Sequence, residues 1–310
     1  MKGVAFMRRW ILALAAMALL AAGCAEETPP ADDGTPAESP AEEMTAAACA
    51  ESHAGDFVEA GTLTVGTDVP AFQPWVAGSG REGPWEGVPD EGTGNPYSGE
   101  GYESAVAYAI SEQLGFTEDE VTWIAVPFNN SYAPGPKDFD FDINQVSVTP
   151  EREGGATFSD GYYDVSQALV VNKGTPIANA KSIAELKPYQ LGVQIGTTSL
   201  SLIDEVIQPD KQPRVFDRSV DVIQALNNEQ IDGYVVDAPT AYVNVLIGQA
   251  ENGVVVGQFP EQGEQFGLVF ELDNPLVECV NIAIGALEAD GTLQALEDEW
   301  LADLTYPILE

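Results

Sequence analysis

From 62 to 301 the chain alternates short β-branched runs with longer runs of helical period, and this alternation confines it to sheets covered on both faces by helices. Segments 62–67, 121–126, 141–146, 167–172, 191–195, 231–237, 254–257 and 266–270 read as strands between turn signals. A helix reads over 102–114, where Val106, Ala109, Ile110 and Leu114 share a face and Gly115 ends the run. Further helices read over 198–207, 220–226, 239–246, 276–287 and 293–301. In α/β folds of this kind ligands sit beyond the carboxyl ends of strands.

Before this region lies a different kind of sequence. Lys2, Arg8 and Arg9 precede an apolar run over 10–20, shorter than the ~20 residues a spanning helix needs. Small residues then lead to Cys24, so 1–23 read as a secretory signal. The pattern resembles a bacterial lipoprotein signal, which implies lipidation of Cys24 and a protein held at the outer face of the cell membrane. Residues 24–56 are rich in Ala, Glu, Thr and Pro and read as a disordered tether.

Charge excludes one class of partner. The formal net charge is −38, and without 1–23 only 9 basic residues face 50 acidic ones. A phosphate backbone would be repelled, so nucleic acid is not a partner. The same charge suits a soluble exported protein and equally a salty medium, where screening weakens self-repulsion. The single histidine, His53, falls in the tether, which leaves no histidine-based zinc site and no Ser-His-Asp chemistry. No metal or other cofactor is expected. Export permits a disulfide between Cys49 and Cys279, or leaves two thiols. Asp138, Asp140 and Asp142 alternate, but Ile143 and Thr149 stand where a calcium loop needs Gly and Glu, so these acids read as the outer face of a strand approach.

The densest functional signal is 145–152, Gln-Val-Ser-Val-Thr-Pro-Glu-Arg, followed by Phe-Ser-Asp-Gly-Tyr-Tyr over 158–163. A guanidinium with Ser and Thr hydroxyls near a strand end is suited to gripping a small carboxylate. Together with 61–75, 101–107, 192–199, 232–239, 265–270 and 290–300, this stretch resembles the amino-acid subgroup of bacterial extracellular solute-binding proteins, family 3, the receptors of ABC importers. The resemblance implies an α/β clamshell of the periplasmic-binding-protein type: two lobes joined by two crossover strands, with 57–167 and 261–310 in one lobe and 168–260 in the other. It implies a monomer that captures a small zwitterion of the amino-acid class and delivers it to a membrane permease.

It also implies residue roles. Arg152 clamps the ligand carboxylate and Asp237 pairs with its ammonium. Ser147 and Thr149 offer hydroxyls from one turn, and Thr197 and Thr198 open a helix whose N-terminus faces the ligand. Phe72 and Trp75 form aromatic walls, and Phe128 and Asn144 face the ligand from segments that depart from the family pattern. Prolines at 127, 134 and 136 preclude a long helix after 126, and the insertion over 78–99 reads as a loop. An exported enzyme on the same fold, similar to cyclohexadienyl dehydratase, is the alternative. It requires a buried acid over the leaving group, and Glu103, Glu151 and Asp160 give no reason to point there, so no catalytic residue is assigned.

Overall fold

A computed structural model describes residues 44–81, 83–87, 93–301 and 306–310; the signal, Cys24 and the tether as far as residue 43 lie outside them. The first half of the described chain runs through α1 (Ala46–Ser52), β1 (Leu63–Thr67), α2 (Tyr102–Gln113), β2 (Val121–Ala125), α3 (Phe128–Ser131), β3 (Phe141–Asp142), β4 (Thr157–Val165) and β5 (Gln167–Asn172). It continues through β6 (Leu191–Gln194), α4 (Thr198–Leu202), β7 (Arg214–Phe216), α5 (Ser219–Asn227), β8 (Gly233–Asp237), α6 (Ala238–Leu246), β9 (Gly253–Gln258), β10 (Glu264–Phe270), α7 (Leu276–Ala289) and α8 (Thr292–Trp300).

The strands form two five-stranded sheets, ordered β2-β1-β3-β10-β4 and β7-β6-β8-β5-β9. In each, parallel strands feed helices and an antiparallel pair carries the chain across. β1 runs parallel to β2 and β3, while β10 runs antiparallel to β3 and β4. β6 runs parallel to β7 and β8, while β5 runs antiparallel to β8 and β9. The chain crosses between sheets after β4 and again before β10, where Val165 hands over to Gln167 and Gln258 to Glu264. β1 and β5 are buried at every position, as sheets covered on both faces require.

The first sheet packs against α2 and α7, which bury Val106, Ala107, Ile110, Val280 and Ile284 around Trp75, Tyr102, Trp123 and Phe266. The second sheet carries two cores, one around Leu169, Val193 and Ile203, the other around Val170, Leu226 and Tyr234. No helix among the described residues is long and apolar enough to cross a membrane.

Four expectations need correction. The tether does not extend to 56. Residues 46–52 form a helix, capped by the Thr45 side chain, whose Ala46, Cys49 and Ala50 are buried. Alanine counts little as an apolar residue but favours helix, and an i, i+3, i+4 stripe of small residues lets α1 lie flat on α7. The Cys49–Cys279 disulfide fastens that contact. His53 caps α1 and bonds Asp56 at 2.8 Å. Second, 306–310 leave the first lobe. Leu309 is 1% exposed in a core of the second sheet, and its amide donates to the Gln258 carbonyl at 2.8 Å.

Third, the strand read over 141–146 stops at Asp142, because the backbone turns at Gln145 with φ 48°. Fourth, Asp140 and Asp142 do not form an outer face: both are buried. Asp140 accepts from the amides of Val58 at 2.8 Å and Thr64 at 2.6 Å, tying the N-terminal segment to the sheet. The insertion over 78–99 folds back on the first lobe, with Trp85 sealed against Tyr97, and none of its described residues lines the inter-sheet cavity. The segment after 126 contains only the single turn α3.

The disulfide closes a loop across a sequence separation of 230, which restricts the unfolded chain. Cys279→Ser with Cys49→Ser is expected to cost about 2–5 kcal/mol, read as a lower urea midpoint with an unchanged ligand-saturation curve. An unaltered midpoint would show that the cross-link adds nothing to the packing of α1 on α7.

Candidate functional site

The carboxyl ends of the strands in both sheets open on one cavity of about 450 Å³. From the first sheet it is lined by Asp68, Phe72 and Trp75 after β1, by Phe128 and Asn129 of α3, and by Asn144, Gln145, Ser147 and Arg152 after β3. From the second come Thr197 and Thr198 after β6, Arg218 before α5, and Asp237 and Thr240 after β8. Nine of the ten residues expected at the site line this cavity. Thr149 does not: its hydroxyl accepts from the Arg152 amide at 3.3 Å and so caps the turn that carries the arginine.

Arg152 is 7% exposed. Its Nη1 donates to the Ser147 carbonyl at 2.6 Å and its Nη2 to the Gly196 carbonyl at 2.8 Å, one acceptor from each lobe. The rings of Tyr132 and Phe128 lie 4.6 and 5.6 Å from the guanidinium carbon. Burial pulls the guanidinium pKa down, while Tyr132, Glu264 and Asp237 pull it back up. Gly196 has φ +77°, and a Cβ there would lie 2.4 Å from Asn129 Oδ1, so only glycine permits this approach.

Asp237 stands at the N-cap of α6 but makes no capping bond, so its carboxyl is not spent on the helix. Protein surrounds the carboxyl except toward the cavity. Burial pushes its pKa well up, reinforced by Glu264 and Glu103 and opposed by Arg152. Thr197 caps α4: its oxygen accepts from the Leu200 amide at 3.3 Å and its hydroxyl donates to Gln194 at 2.8 Å. Trp75 turns mainly inward, edge-on to Tyr102, Tyr163 and Phe266, while its Nε1 reaches Thr240 Oγ1 of the other lobe at 2.7 Å. Asn144 is 5% exposed, and its Nδ2 has no protein acceptor.

Three further carboxylates belong to the site's surroundings, and none was assigned from sequence. Asp68 faces the cavity; burial lifts its pKa to about 6, while the Val69 amide and Arg218 oppose the rise. Its signal was available, since Asp68 directly follows β1 and Asp237 ends β8. Glu103 is 0% exposed beneath the Gln145 turn. It accepts from the Gln145 amide at 2.7 Å, from the Gln145 side chain, and from Tyr162 Oη at 2.5 Å, and burial lifts it to about 7. Sequence offered only a glutamate in the first turn of a helix, the ordinary surface partner of the helix dipole. Glu264 lies behind Ser147 and Thr198 and accepts from both.

The sequence profile of the bacterial extracellular solute-binding proteins, family 3, matches residues 83–303. The ABC transporter arginine-binding protein 1 of Escherichia coli K12 is 30% identical over 207 residues, covering 64% of this chain and 81% of that protein. The L-cystine-binding protein TcyJ of the same strain is 28% identical over 224 residues, covering 69% and 82%. Among solved structures, an ancestral arginine-binding protein bound to arginine superposes with TM-score 0.63 at 28% identity, over 78% of this chain and 99% of that one. An ancestral amino-acid-binding protein, a precursor of cyclohexadienyl dehydratase, gives TM-score 0.62 at 25% identity, over 78% and 96%.

The buried carboxyls make stability depend on pH with a definite sign. Asp68 and Asp140 rise to about 6 and Glu103 to about 7, against about 4 in an unfolded chain. The folded state therefore binds more protons across that interval, and this contribution to stability is lost as pH rises through it. The thermal midpoint should be higher at about pH 5 than at about pH 8, and Glu103→Gln should flatten the upper part of the slope. A midpoint that climbs toward pH 8 would contradict the assignment.

Proposed function

The chain belongs to the bacterial extracellular solute-binding proteins of family 3, and we propose that it closes its two lobes on an amino acid and delivers it to the permease of an ABC importer. One observation carries the reading. A buried guanidinium and a partly buried carboxylate with no capping bond line the same cavity, close enough for each to shift the other's ionisation. Leaving both unanswered is costly. An α-amino acid supplies a carboxylate for Arg152 and an ammonium for Asp237 at once.

The side chain is assigned by the charge that remains. Arg218 is held by Asp221 through two bonds of 3.0 Å, so it is neutralised within the protein. Among the described residues Asp68 has only the Val69 amide as a bonding partner, at 2.8 Å, and it faces the cavity. The remaining negative charge favours a cationic side chain, with Asn129 and Gln194 as further acceptors. The arginine-binding relatives support this choice.

Catalysis on the same fold would need an acid over the ligand. Glu103 spends its oxygens on Gln145 and Tyr162 below the cavity floor, which favours a receptor over a dehydratase. Export follows from the family. The lipid anchor at Cys24 is part of this proposal, and holds the receptor near its permease at the membrane.

The purified protein is tested by thermal shift against the common amino acids, ornithine and citrulline. A ligand at ~100 times its Kd adds about 2.7 kcal/mol. Arg152→Ala and Asp237→Ala should each lower affinity at least ~100-fold while far-UV dichroism is retained; normal binding by both variants would sink the assignment. Asp68→Asn should lower affinity for L-arginine ~10-fold more than for L-glutamine. In the parent protein, binding of L-arginine should weaken as pH falls below about 6, where Asp68 takes up a proton and loses its charge. Arginine affinity that is flat from about pH 8 to pH 5 would remove Asp68 from the contact.

A further inference from the structure

Glu264 opens β10, where the chain returns from the second sheet to the first, and its carboxylate is half-buried. Its Oε1 accepts two hydroxyls, Ser147 Oγ at 2.5 Å and Thr198 Oγ1 at 2.5 Å. Gln167, the first residue of β5, donates its Nε2 to Glu264 Oε2 at 2.8 Å and to Thr198 Oγ1 at 3.1 Å. Ser147 follows β3 in one lobe, and Thr198 begins α4 in the other. One carboxylate thus fastens both lobes and both crossings.

The consequence lies in the count of protons. A hydroxyl has one proton to donate and two lone pairs with which to accept, while an ionised carboxylate only accepts. Both hydroxyl protons must therefore point at Glu264, away from the cavity. Thr198 has one lone pair engaged by Gln167, and Ser147 has both uncommitted to side chains. What the two hydroxyls present to the cavity is acceptor character alone, while the backbone N–H groups at the start of α4 remain donors. From sequence, Ser147 suited either end of a zwitterion; the bonding pattern leaves one.

We propose that Glu264 is a positioning residue that fixes the Ser147 and Thr198 hydroxyls as acceptors for the ligand's ammonium, leaving the ligand's carboxylate to the donors Arg152, Asn144 and the N–H groups that open α4. The inference rests on the amino-acid reading above, which sets the ligand's orientation, and adds the residue that holds the two hydroxyls to it. The carboxylate acts without touching the ligand: it is absent from the cavity lining and borders a separate pocket behind the crossings, with Asp164 and Ser166. Asn144 supplies the complementary polarity, its Nδ2 being buried and without a protein acceptor.

Glu264→Gln tests this, because an amide in that place brings donor protons and turns at least one hydroxyl proton toward the cavity. Full-length parent and variant are titrated calorimetrically with L-arginine and L-glutamine, each against its des-amino analogue, 5-guanidinopentanoate and 4-carbamoylbutanoate. The parent should prefer each amino acid over its analogue. The variant should lose ~10-fold or more in affinity for the amino acids and less than ~3-fold for the analogues, so that the preference collapses. A merely mechanical brace would weaken both members of each pair equally, and equal losses or unchanged binding overturn the proposal. If Glu264→Gln does not fold, Ser147→Ala and Thr198→Val carry the test, each expected to reduce the preference for the ammonium-bearing partner; preserved preference overturns the proposal. A parent protein that binds none of the amino acids overturns the receptor reading itself, whatever the variants do.

Discussion

A desolvated guanidinium organises this molecule. Arg152 is taken out of water at the meeting of two sheets, and its hydrogen bonds go to two carbonyls rather than to a carboxylate. Each lobe contributes one of those carbonyls, so the arginine is satisfied only while the lobes are together. Several local features serve this arrangement. Thr149 caps the turn that delivers the arginine, Gly196 lacks the Cβ that would hold the lobes apart, and Tyr132 covers the guanidinium face. Beneath the turn, Glu103 pins Gln145 in a left-handed conformation that a glutamine adopts only when held.

Much of this was legible in the chain. Buried parallel strands declare themselves by unbroken apolar runs, and 62–67 and 167–172 do so. The order of motifs placed Arg152, Asp237, Thr198 and Ser147 around one cavity. The misses share a physical cause. Alanine-rich 46–52 looked like linker because its burial depends on a partner helix more than 200 residues away, joined by Cys279. The tail at 306–310 is too short for periodicity to say which sheet it meets. Glu103 and Glu264 were hidden among 50 acidic residues, since nothing in local spacing separates a carboxylate that faces solvent from one that is buried, whereas the place of Asp68 after a buried strand was there to be read.

The acidic balance has two layers. Most carboxylates are solvated and keep a highly charged protein apart from its copies. A minority lie inside, where burial favours the protonated form. Asp142 is the extreme case: neither oxygen has a protein partner, and burial, then Glu103 and Asp68, push its pKa well up. A neutral carboxylic acid there avoids a third inner negative charge beside the cavity floor. The outer acids govern behaviour toward salt, and the inner ones govern behaviour toward pH.

The C-terminal tail packs on the second lobe although the helices before it belong to the first. Leu301 belongs to the core of the first lobe and Leu309 to a core of the second, so the chain passes between lobes a third time. Only four residues, 302–305, separate Leu301 from the segment bonded to Gln258 and Lys181. The bonded tail lies beside the second crossing, since Gln258 ends β9. On the α3 side the lobes meet through hydrogen bonds, Tyr132 Oη and Arg152 Nη2 both donating to the Gly196 carbonyl, at 3.3 and 2.8 Å.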